Sequence, residues 1–245
     1  MEQQLFTIIE NKALTDSVFR LRLGGNTSAI TAPGQFVNIK LEGKFLRRPI
    51  SVCDCSGSML TLIYKTVGKG TEQLSTMTKG SVLDLLLGLG NGYDLRPSGM
   101  NPLLVGGGVG VPPLFWLADN LLAKGCRVTA VLGFNTAREI FYADEFRRLG
   151  TEVYLTTADG SAGIKGFVTD AMKDLDYSYV YTCGPEPMLR AVYRESKTDG
   201  QFSFEKRMGC GFGACMGCSC KTVSGYKRIC KEGPVLEKGD ILWED

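Results

Sequence analysis

Four cysteines near the C-terminus constrain this chain more than any other feature. Cys210, Cys215, Cys218 and Cys230 follow a C-x4-C-x2-C-x11-C spacing, within the glycine-rich run Cys210-Gly211-Phe212-Gly213-Ala214-Cys215-Met216-Gly217-Cys218. C-x4-C-x2-C with a distant fourth cysteine is the plant-type pattern for a 2Fe-2S cluster. The glycines suit that chemistry. Thiolates must converge on a compact anionic cluster while backbone N–H groups turn toward its sulfurs, and glycine reaches the positive φ angles this needs. The local charge agrees: over residues 201–231, Lys206, Arg207, Lys221, Lys227, Arg228 and Lys231 stand against the single acid Glu205. A structural zinc site is the alternative. Zinc ribbons pair two short C-x2-C knuckles and only one short pair is present, which favours iron–sulfur. Cys220, a fifth thiol, reads as a non-ligand because Cys230 completes the set of four. Residues 200–245 are too few to build an apolar core of their own, so a metal staple is expected there.

Composition narrows the chemistry further. The 245 residues include nine cysteines and no histidine, which removes histidine triads, zinc–histidine sites and the usual general base. Met1-Glu2-Gln3-Gln4 lacks the basic-then-apolar build of a secretory signal. An odd, clustered cysteine set without such a signal points to metal or redox chemistry in a reducing compartment, and so to a cytoplasmic protein. The net charge of +2 gives no field that calls for nucleic acid or an anionic membrane, and no apolar run reaches spanning length.

Along the chain, the first ninety or so residues read as short strands. Residues 19–23, 37–41 and 59–65 alternate apolar with polar side chains, and Gly24-Gly25-Asn26, Ala32-Pro33-Gly34, Ser56-Gly57-Ser58 and the run 88–92 supply turns. That texture predicts an antiparallel barrel over residues 1–98. After it, apolar runs at 102–105, 128–132, 153–156 and 179–182 alternate with helical periods at 113–124, 143–149, 167–172 and 186–196. This predicts a doubly wound parallel sheet over residues 99–199, with a small cluster domain over 200–245.

Two further signals carry chemistry. Leu103-Leu104-Val105-Gly106-Gly107-Gly108-Val109-Gly110-Val111-Pro112-Pro113 runs from buried strand through a glycine turn into a helix, an arrangement that presents backbone N–H groups to a pyrophosphate. A proline stands where the dinucleotide fingerprint has its third glycine. Tyr181-Thr182-Cys183-Gly184-Pro185-Glu186 repeats the strand–turn–helix plan about eighty residues on. In the barrel, Arg48-Pro49-Ile50-Ser51 places a guanidinium and a hydroxyl at a strand start, and Gly68-Lys69-Gly70-Thr71 offers a small anion-binding turn. Each alone could be ordinary surface chemistry.

Taken in order, Arg-x-x-Ser, Gly-x-Gly-Thr, the Gly107–Pro113 turn and Cys183-Gly184-Pro185 resemble the ferredoxin–NADP reductase superfamily over residues 1–197. With the C-terminal cysteines, the whole chain is similar to the electron-transfer subunits of class 1B, NAD-dependent dihydroorotate dehydrogenases. The resemblance implies that Arg48, Pro49, Ile50 and Ser51 hold FAD, with Gly68, Lys69, Gly70 and Thr71 at its phosphates. It implies that Gly107, Gly108 and Gly110 approach NAD, that Gly184 borders the nicotinamide, and that Cys183 is the catalytic residue beside the flavin. Asp159, after the third strand of the nucleotide domain, would favour a ribose 2′-hydroxyl over a 2′-phosphate, unless Asp159-Gly160 is only a turn. The family often has an aromatic ring at the position of Ile50, so which group covers the flavin stays open. The implied partner is an FMN-containing dihydroorotate dehydrogenase catalytic subunit, in a heterotetramer of two copies of each. Rivals are a reductase subunit of a sulfide dehydrogenase or electron-bifurcating complex, and a zinc-stapled nucleotide-binding regulator without turnover.

Overall fold

The computed structural model describes residues 1–243. Six strands close an antiparallel barrel: β1 (Glu2–Ala13), β2 (Val18–Gly24), β3 (Phe36–Lys40), β4 (Arg48–Ser56), β5 (Met59–Lys65) and β6 (Val82–Leu89), in the order β1-β2-β5-β4-β3-β6. Period-two patterning aims side chains inward: Leu83, Leu85, Leu87 and Leu89 of β6 and Leu21 and Leu23 of β2 are buried, and Arg20 and Arg22 face out. Between β5 and β6 the chain forms helix α1 (Lys69–Ser75), so Gly68–Thr71 is the entry to a helix rather than a hairpin turn.

Alternation fails on β5 and β3 for a physical reason. Both faces of these strands are covered: Ile63 of β5 joins the core under the nucleotide sheet, as does Cys53 of the neighbouring β4, and Phe36 of β3 joins the core beneath the cluster segment. The barrel is therefore wedged against both other parts of the chain.

A seven-stranded sheet follows, built from β7 (Pro102–Gly107), β8 (Thr129–Phe134), β9 (Glu152–Thr157), β10 (Ile164–Lys165), β11 (Tyr179–Cys183) and β12 (Gly200–Ser203). A later strand, β15 (Val235–Glu237), closes its far edge antiparallel to β12; β13 (Ser219–Thr222) and β14 (Gly225–Arg228) form a separate hairpin. The sheet order is β10-β9-β8-β7-β11-β12-β15. Helices α2 (Pro113–Ala123), α3 (Ala143–Leu149), α4 (Val168–Met172) and α5 (Glu186–Glu195) cover its faces. β7 is buried along its whole length, as expected of a central parallel strand.

Because β12 and β15 belong to this sheet, the segment from residue 200 onward is anchored at both ends in the nucleotide-type domain. Its buried residues Cys218, Ile229 and Cys230 share one core with Phe202, Val105 and Phe36. Among the described residues no helix is long and apolar enough to cross a membrane.

Candidate functional site

Strand order reverses on the two sides of β7: β8 and β9 lie to one side, β11 and β12 to the other. In open α/β sheets that reversal leaves a crevice at the carboxyl ends of the strands. The register puts Gly106 opposite Cys183, so the turns after β7 and β11 meet there. The approach is close enough to require glycine. A Cβ on Gly110 would lie 2.2 Å from the Cys183 carbonyl oxygen, and one on Gly107 would lie 2.5 Å from Met188 Sδ. The structure thus brings Gly107, Gly108, Gly110, Cys183 and Gly184 together, and the 3₁₀ turn Gly108–Gly110 also packs against barrel strand β5. The Cys183 thiol is buried; its pKa is raised by burial and by the Glu205 carboxylate, with Ser203 opposing, so it stays protonated and neutral.

The barrel supplies a second cluster of groups. Arg47 is held on the barrel wall by Asp84 at 2.9 Å, whereas the neighbouring Arg48 turns toward α1. A Cβ on Gly70 would fall 2.3 Å from Arg48 Nε and 2.8 Å from Cζ, so the guanidinium lies directly over the first turn of the helix. Thr71 Oγ1 accepts from the Val67 N–H at 2.9 Å and donates to the Gly68 carbonyl at 3.0 Å, which ties the turn to the helix. Two sites far apart in sequence, Arg48 to Ser51 and Gly68 to Thr71, form one surface. Lys69 is exposed at the helix start, and Ile50 is half-buried against the barrel core.

The cysteines form the third group, and their sulfurs fall into two pairs. Cys210 Sγ accepts from the N–H groups of Ala214 at 3.2 Å and Cys215 at 3.4 Å, and Cys215 Sγ accepts from the Cys210 N–H at 3.5 Å. Cys218 Sγ accepts from the Cys230 N–H at 3.4 Å. Burial raises the Cys210 thiol, but the backbone donors of Phe212, Cys215 and Ala214 and the Cys215 side chain outweigh it and bring it to about 6. Burial and the adjacent Cys218 push Cys230 to about 12. Gly211 and Gly213, at φ 77° and 93°, let the loop fold its N–H groups inward.

Four thiols in two pairs, with backbone donors on the sulfurs, suit a group with two metal centres. A 2Fe-2S cluster fits these residues better than one tetrahedral zinc. Cys220 lies outside both pairs; burial raises its thiol.

One residue that the sequence did not single out joins these parts. Asn38, 1% exposed, donates from Nδ2 to the Cys210 carbonyl at 3.1 Å. It lies opposite Pro49 in the β3–β4 ladder, so the strand beside Arg48 also holds the cysteine loop. Its only sequence signal is a polar residue within the apolar run Phe36–Ile39.

Asp159 stands apart from these groups, exposed at the turn after β9. Its Oδ1 accepts from the Ser161 N–H at 2.9 Å and the Ser161 hydroxyl at 2.6 Å, and those bonds lower its pKa. The Asp159 N–H donates to the Asn135 carbonyl at 3.2 Å, which sets the turn beside the loop that follows β8.

The iron–sulfur cluster binding domain of dihydroorotate dehydrogenase B matches residues 205–242, and the oxidoreductase NAD-binding domain matches residues 104–194. A protein of Geobacillus sp. (strain WCH70), named dihydroorotate dehydrogenase B (NAD(+)), electron transfer subunit, is 42% identical over 256 residues, covering 99% of each chain. The protein of that name from Fusobacterium nucleatum subsp. nucleatum is 41% identical over 251 residues, covering 96% of each. Among solved structures, the NADH-dependent reduced ferredoxin–NADP oxidoreductase studied for flavin-based electron bifurcation matches with a TM-score of 0.89 and 32% identity, over 97% of this chain and 90% of that one. A ferredoxin–NADP+ reductase from Neisseria gonorrhoeae, with bound FAD and NADP, shares the fold at a TM-score of 0.70 and 17% identity, over 80% of this chain and 90% of that one.

Proposed function

The chain belongs to the family of dihydroorotate dehydrogenase B electron transfer subunits, and from that membership we propose that it carries electrons from an FMN-containing dihydroorotate dehydrogenase catalytic subunit, through a 2Fe-2S cluster and FAD, to NAD+. It is an oxidoreductase subunit with sites for FAD, a 2Fe-2S cluster and NAD. A bound flavin supplies the exchange between a two-electron hydride and a one-electron cluster.

The chain's own residues bind and orient. Arg48 neutralises the flavin diphosphate over Gly70, while Pro49, Ile50 and Ser51 line the ring and Gly68, Lys69 and Thr71 shape the phosphate turn. Gly107, Gly108 and Gly110 admit the dinucleotide to the crevice after β7. Cys183 and Gly184 wall the nicotinamide side, with the neutral Cys183 thiol presenting no charge to repel a hydride. Asp159 discriminates against a 2′-phosphate. Cys210, Cys215, Cys218 and Cys230 would hold the 2Fe-2S cluster. The division into residues 1–98, 99–199 and 200–245 is a proposal of the same standing.

The observation that carries this reading is the register of β3 with β4. Asn38, bonded to the Cys210 carbonyl, is the ladder partner of Pro49. Paired strands hold such Cα atoms about 4.5–5.5 Å apart, so the cysteine loop and the flavin strand are neighbours. On the outer side, Cys215 is exposed, as are Phe212 and Met216 at 41% and 54%. That rim would receive electrons from the partner, in a cytoplasmic heterotetramer of two copies of each subunit.

The full-length likeness to the bifurcating oxidoreductase supports a second reading, in which the partner belongs to an electron-bifurcating complex. Co-purification with the native partner decides between them. Dihydroorotate-dependent reduction of NAD+ by the purified complex is the expected result. A complex inert to dihydroorotate but active between NADH and ferredoxin would establish the second reading.

A further inference from the structure

Beside the cysteine loop, α5 and the β13–β14 hairpin line a half-open cavity of about 550 Å³. Among the described residues its walls include Arg190, Lys206, Arg207 and Lys221, with Glu186 as the one acid. That acid is already engaged, by Lys206 at 2.9 Å and Arg190 at 3.3 Å. Among the described residues the lining therefore carries an excess of positive charge, of which Arg207 and Lys221 are exposed.

Two buried polar atoms in the same lining lack a hydrogen-bond partner among the described residues: Ser219 Oγ and Trp243 Nε1. Buried polar groups in native structures are nearly always satisfied, so each orphan needs an explanation. An indole N–H can only donate, so Trp243 requires an acceptor; a serine hydroxyl can donate to the same group. Exposed cations and buried donors select for negatively charged acceptor oxygens. The volume lies within the range of small-molecule sites, roughly 300–1,000 Å³, and exceeds what a bare oxyanion needs.

We propose that this cavity is a binding site for a small phosphate- or carboxylate-bearing metabolite. Cys218 forms part of its wall. A bound anion there disfavours the addition of an electron next to it, so occupancy lowers the midpoint potential of a cluster held by Cys218 and slows electron flow. The binding site stands independently of the electron-transfer reading; only the shift in potential rests on it.

Calorimetric titration of the FAD- and iron-loaded chain, alone and in complex with its catalytic partner, tests the proposal. Inorganic phosphate is the probe in one arm and a nucleoside 5′-monophosphate in the other. Saturable binding is expected in both preparations, weakened about tenfold or more by Lys221→Glu or Arg207→Glu and several-fold by Trp243→Phe, with iron and flavin content unchanged as the folding control. Stronger binding of the nucleotide identifies a ligand that fills the cavity, and equal binding identifies the oxyanion as the recognised group. Absence of saturable binding by either probe overturns the site, as does binding indifferent to both charge reversals. Binding to the isolated chain that vanishes in the complex overturns the metabolite in favour of an acidic side chain from the partner. A saturating probe that leaves the cluster's midpoint potential unmoved overturns the coupling.

Discussion

At the scale of single residues, the proposed cluster ligands are Cys210, Cys215, Cys218 and Cys230, whose sulfurs fall into two pairs. Cys210→Ser, Cys215→Ser, Cys218→Ser and Cys230→Ser should each lower bound iron, whereas Cys220→Ser, outside both pairs, should keep it; iron analysis of the five purified variants checks this. In the barrel, Arg48→Ala removes a charge-assisted contact worth about 1.5–3 kcal/mol, roughly ten- to a hundredfold in flavin affinity. Gly70→Ala should weaken flavin binding as well, because its Cβ would displace the Arg48 guanidinium. Flavin retained after dialysis measures both, with iron content expected to stay at the wild-type level. Asp159 gives the third expectation, a clear preference for NADH that shifts toward NADPH in Asp159→Arg. The ratio of kcat/KM for the two cofactors measures it. An unshifted ratio would leave Asp159 as the turn residue that its bonds to Ser161 describe.

At the scale of elements, the crevice depends on two turns meeting without side chains between them. Gly110→Ala would drive a methyl group into the Cys183 backbone at 2.2 Å, and a carbonyl cannot yield as a flexible side chain can. Overpacking of this kind costs about 1–3 kcal/mol, so KM for NADH should rise roughly five- to a hundredfold. Flavin and iron content should not change, because the atoms nearest to the added methyl belong to Cys183 and Gly184. Steady-state NADH oxidation with ferricyanide, together with cofactor analysis, tests the separation. The strand–turn–helix plan of β7 and β11 was legible from glycine placement and apolar runs. Strands β12 and β15 were not, because short segments such as Gly200–Ser203 acquire strand geometry only by pairing with β11.

At the scale of the whole molecule, the reading divides labour between subunits. The isolated, cofactor-loaded chain should oxidise NADH with an artificial acceptor and remain inert toward dihydroorotate; an assay free of any FMN protein tests this. The 245 residues form a barrel, a sheet and a cysteine loop, which leaves no length for the (β/α)8 barrel, about 250 residues, expected to carry the orotate chemistry. The barrel keeps an apolar interior of its own, whereas the other two cores are shared, one between barrel and sheet and one between barrel, sheet and cysteine segment.

The sequence by itself determined the chemistry and the order of parts. Cysteine spacing, the absence of histidine, glycine turns after apolar runs and the change of texture near residue 98 are local signals, each set by covalent neighbours and backbone preference. What only the tertiary structure decided is adjacency: Arg48 over Gly70, Gly110 against Cys183, and Asn38 bonded to the Cys210 carbonyl, 172 positions away. Those contacts arise because outer faces of the barrel are buried a second time, under the nucleotide sheet and the cysteine segment. A strand covered on both sides loses the alternation by which its faces can be read, so which surfaces meet is a property of packing and not of any local run of residues.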